Sequence, residues 1–147
     1  MFETLSSQIA AVAWVGVCAF ALIKGEQAER IGGGALLVGW IGTLAVQREV
    51  GYANATLSVM AIDIVLLLVL LGLSWKSDRS WPIWGAAFQL ITVLVHIVTL
   101  ADLRIGVFAH LSAVFVATYG LLACLAVGTF WAWQEREAIK PREGDCL

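Results

Sequence analysis

His96 and His110 are the only histidines in a chain of 147 residues, and both fall inside long apolar runs. The runs, WPIWGAAFQLITVLVHIVTL and IGVFAHLSAVFVATYGLLACLAVGTFWAW, are separated by the polar break Ala101-Asp102-Leu103-Arg104. A break that short allows an antiparallel hairpin and little else. At ~1.5 Å of rise per residue both imidazoles then lie about 6–9 Å inside the same face of the hairpin. Asp63, in the preceding apolar run, counts to about 12 Å from the same face. Ionisable side chains at such depth in an apolar helix are candidates for a functional site.

Three chemistries suit two imidazoles and a carboxylate. The set His96, His110 and Asp63 offers ligands for Zn, Cu, Fe or Ni. His96 and His110 alone are the axial pair of a b-type haem. An imidazole coupled to Asp63 can also hold a proton or a small substrate. The plainer expectation is a lock: polar groups that bond one another across helices and fix their register, with no chemistry.

Residue spacing decides where these groups point. Gln89, Thr92, His96 and Thr99 recur at intervals of three, four and three, which is one face of a helix. An unpaired polar group in hydrocarbon costs several kcal/mol, so this stripe is expected to face protein. His110 heads a second stripe, Ala113, Ala117, Gly120, Cys124 and Gly128, of the small residues that allow close helix contact. Trp14, from the first run, is expected at the same level, with Asp102 and Arg104 at the turn above. These residues complete the expected polar cluster.

The elements that must carry them are membrane helices. The composition is 61% hydrophobic and 14% charged, and mean hydropathy is +0.88, whereas a soluble domain carries about 25% charged residues. Five spans are expected, at about 5–23, 31–46, 55–75, 81–100 and 105–131, in one transmembrane domain over 1–133. A charged cytoplasmic tail follows over 134–147. The first two spans are short, and a four-span arrangement with the first segment on the surface is the alternative. That segment lacks the basic polar face of an interfacial anchor. The Gly-rich second span (Gly32, Gly33, Gly34, Gly39 and Gly42) is a candidate for close backbone approach.

Lys24, Arg30, Lys76, Arg79, Arg136, Lys140 and Arg142 fall on one side of the five spans, and Arg48 and Arg104 on the other. The positive-inside rule then sets the N-terminus out and the C-terminus in. Trp75, Trp81, Trp84, Trp131 and Trp133 fall at the basic boundary, as an aromatic belt would. A bacterial inner membrane is the expected location, with the lipid bilayer as the certain partner of such a chain. A transport or channel role would demand a homo-oligomer or a larger membrane complex, because one chain this small has little room for a path.

Several classes are excluded. No basic cluster interleaved with aromatics suggests nucleic-acid binding. Cys18, Cys124 and Cys146 form no C-x-x-C, so thiol–disulfide exchange is not expected. No H-E-x-x-H, Ser–His–Asp set or phosphate loop occurs. The first link, KGEQAER, lacks the Pro and Trp of the loop motifs in tryptophan-rich sensory proteins. An accessory or scaffold protein is therefore expected ahead of an enzyme.

Overall fold

The computed structural model describes residues 5–50, 56–101 and 107–139. It is all helical there: α1 (Leu5–Lys24), α2 (Gln27–Val50), α3 (Thr56–Lys76), α4 (Trp81–Ala101) and α5 (Val107–Ile139). Among the described residues no strand occurs. Thr56–Lys76, Trp81–Ala101 and Phe108–Ile139 are each long and apolar enough to cross a membrane, and they mark a membrane protein. In α1 the apolar stretch is shorter, Ala11–Lys24. Glu29, Arg30, Arg48 and Glu49 make the ends of α2 more polar than those of α3.

The bundle is inside-out by the standard of a soluble domain. Val12 is 73% exposed, Val38 71% and Val116 70%, while Glu29 and Thr129 are fully buried. Exposed apolar surface on this scale marks a surface made for lipid or protein rather than water. The core is a column of Cys18 and Ala21 from α1, Leu36 from α2, Leu66 and Leu70 from α3, Trp81 and Ala86 from α4, and Leu121 and Leu125 from α5. Helix α4 packs on both α3 and α5, α1 packs on α2 and α5, and α2 joins α3. Hydroxyls bond within their own helix: buried Thr129 Oγ1 donates to the Leu125 carbonyl at 2.8 Å and half-buried Thr99 Oγ1 to Val95 at 2.8 Å.

Helix ends depart from the expected boundaries. The charged link over 24–30 shrinks to Gly25 and Glu26, because α2 starts at Gln27. Glu26 caps that start: its N–H donates to Glu29 Oε2 at 3.0 Å, the return half of a capping box. A Cβ at Gly25 would lie 2.3 Å from the Ala21 carbonyl, so the α1–α2 corner needs a glycine. Helix α5 runs on to Ile139, so the first six residues of the expected tail, 134–139, are helical.

Trp81 also departs from expectation. Its position at the basic boundary predicts a place in an aromatic belt, yet only 5% of it is exposed. Gly32 of α2 and Gly128 of α5 clear the space for its ring: a Cβ on either would meet it at 2.5 Å. Trp75, by contrast, is 95% exposed, Trp84 64% and Trp131 57%.

Candidate functional site

Helix alternation brings the start of α3, the end of α4 and the start of α5 to one end of the bundle. Asp63, His96 and His110 meet there. The Asp63 carboxylate is accepted between two α4 side chains: His96 Nε2 lies 3.1 Å from Oδ2, and Gln89 Nε2 donates to Oδ1 at 2.9 Å. Gln89 also donates to the Asp63 backbone carbonyl at 3.2 Å, so both of its amide hydrogens are spent on one residue. The side chains of His96 and Asp63 are 8% and 14% exposed.

His110 joins the cluster through Thr99. The Thr99 hydroxyl has a single hydrogen, which goes to the Val95 carbonyl. His110 Nδ1 lies 2.8 Å from the same oxygen and shares a hydrogen bond with it. In His96, Nε2 faces the carboxylate, and Nδ1 is buried without a partner among the described residues. The two rings sit edge to face with centroids 5.3 Å apart, the separation of an aromatic pair in contact.

The other expected members are placed as follows. Thr92 is buried on the same α4 face, but its hydroxyl donates to the Phe88 carbonyl of its own helix at 3.3 Å. Trp14 stacks on Trp40 of α2 with centroids 6.3 Å apart, and its buried indole N–H finds no acceptor among the described residues. Asp102 and Arg104 lie outside the described residues.

The rings of His96 and His110 are in contact, and His96 Nε2 faces Asp63. Among the described residues no three His, Cys, Asp or Glu side chains are grouped so as to hold a metal ion. What the arrangement does is tie three helices: Asp63 is bound to α4 through Gln89 and His96, and Thr99–His110 binds α4 to α5.

A second polar knot, at the opposite end, was not foreseen. Glu29 is fully buried, and its Oε1 accepts from Trp81 Nε1 at 2.9 Å. Beside it Arg79 bridges Glu26 at 2.9 Å and Glu135 at 2.7 Å, joining the α2 start to α5. These bonds hold the guanidinium above its ordinary pKa, that to Glu26 first and that to Glu135 second. Between α4 and α5 at this end lies an apolar cavity of about 400 Å³ lined by Trp81, Trp84, Phe88, Cys124 and Trp131 among others. The Glu at the third helical position of α2 was the available signal, since a capping Glu ties a charged link to a helix start.

The chain was compared with family models, curated proteins and solved structures. No family model matches it, and neither a curated protein nor a solved structure does.

Proposed function

We propose that this chain is a small accessory or scaffold protein of a bacterial inner membrane, without catalytic activity. It crosses the bilayer five times, N-terminus out and C-terminus in. Its Asp63–Gln89–His96 and Thr99–His110 bonds lock the outer half of the bundle and so keep a fixed apolar surface for a membrane partner. One observation carries this reading: both oxygens of Asp63 are taken by α4 of the same chain. A carboxylate consumed internally has a structural use. Three long apolar helices and the charge asymmetry of seven Lys and Arg against two support the topology.

A second reading draws on the bare His96 Nδ1. A buried imidazole nitrogen without a partner, in contact with a second imidazole, can receive a proton or the donor group of a small substrate. Absorption spectroscopy and metal analysis of detergent-purified protein, with thermal melting of His96→Ala and His110→Ala, test the lock. The expected result is no Soret band, no stoichiometric metal, and lower melting temperatures in both variants. A metal or haem lost in those variants would contradict it. Proton flux into vesicles that disappears in His96→Ala at unchanged stability would favour the second reading.

A further inference from the structure

Arg30 and Arg136 line one cleft of about 520 Å³, together with Gly25, Glu26, Gln27 and Ile31. Neither arginine is paired with a carboxylate among the described residues. Arg30 Nε donates to the Gly25 carbonyl at 3.1 Å, which orients the guanidinium and leaves its terminal N–H groups available. Arg136 Nε is buried, and among the described residues it has no acceptor. A buried guanidinium N–H with nothing to bond is uncommon in native structures and calls for an acceptor that the described residues do not supply. Glu26 is the single carboxylate among the described residues of the cleft wall, and it is paired with Arg79. The cleft therefore presents two positive forks.

We propose that this cleft binds a phosphate group, held by Arg30 and Arg136. Guanidinium forks match phosphate oxygens in geometry and charge. The group can belong to an anionic lipid headgroup, since basic pockets at the basic end of membrane helices take such headgroups, or to free phosphate. The two sources share the chemistry and differ in what accompanies it.

Full-length protein in detergent is titrated with inorganic phosphate. The same protein is placed in nanodiscs of phosphatidylcholine with or without phosphatidylglycerol. Thermal unfolding and native mass spectrometry are read in each. A melting temperature raised by inorganic phosphate assigns free phosphate; a rise and a retained lipid with phosphatidylglycerol alone assign a headgroup. In whichever arm responds, Arg30→Gln/Arg136→Gln is expected to need at least about tenfold more ligand for the same shift, the size of one lost charge-assisted bond. Arg136→Lys, which keeps the charge and loses the fork, falls between. Lys76→Gln removes a charge from the same end outside the cleft and leaves the response intact. Circular dichroism and elution volume check the fold. If the double variant does not fold, Arg30→Gln, at an exposed position, takes its place. Equal responses in wild type and the Arg variants, or no wild-type response in either arm, would overturn the proposal.

Discussion

The indole of Trp81 touches two neighbouring helices, α2 and α5. Its ring lies between the glycine backbones of α2 and α5, and its N–H reaches the buried carboxylate of Glu29. A hydrogen bond to a charged group contributes about 1.5–3 kcal/mol. Trp81→Phe fills nearly the same space without the donor, so it should lower the unfolding free energy by that amount. Trp84→Phe, at an exposed site, should leave it unchanged; thermal or denaturant melts of the two proteins decide. Glycines give a finer test of the same packing. Gly32→Ala and Gly128→Ala push a methyl into the indole and should each cost about 1–3 kcal/mol. Gly34→Ala and Gly72→Ala meet open space and should be neutral, or stabilising by up to about 1 kcal/mol through helix propensity.

Among the elements, α4 is the hub. It carries Gln89, His96 and Thr99 toward the α3 and α5 partners, and Trp81 toward α2 and α5. Its polar stripe was legible because a 3.6-residue period is local, and so were the helical class and the approximate helix positions. Contact between Asp63 and His96 depends on how α3 seats against α4, which no local pattern contains. The burial of Glu29 was illegible for the same reason: its partner Trp81 lies 52 residues away, and a Glu in a charged link reads as solvated. The tryptophans of the basic end read alike in sequence, and only the glycines of two other helices single out Trp81. At that end the Arg79 clamp gives an expectation on pH. Its guanidinium is stabilised in the charged form, so the contribution is complete below the ordinary arginine pKa and fades only above it. Raising the pH from neutral to about 10 should therefore leave the wild-type advantage over Arg79→Gln intact in paired melts.

At the scale of the whole molecule, two polar knots close an apolar bundle at its two ends, with the leucine-rich column between them. The proposed orientation has a direct consequence for Cys146, which lies beyond the described residues in the expected cytoplasmic tail. A membrane-impermeant maleimide should label it in permeabilised cells and not in intact spheroplasts; labelling of intact spheroplasts would reverse the topology. The lock itself is a claim about coupling. Removing one partner of a buried hydrogen-bonded pair strands the other at a cost of about 1–3 kcal/mol, whereas replacing both by apolar groups of the same shape is nearly neutral. The deciding measurement is a double-mutant cycle of unfolding free energies in detergent across wild type, Asp63→Leu, His96→Leu and Asp63→Leu/His96→Leu. A structural lock gives a large loss in His96→Leu, a smaller one in Asp63→Leu, and a double variant closer to wild type than His96→Leu is. Losses that simply add would show that the two side chains do not act on each other, and the lock would fall.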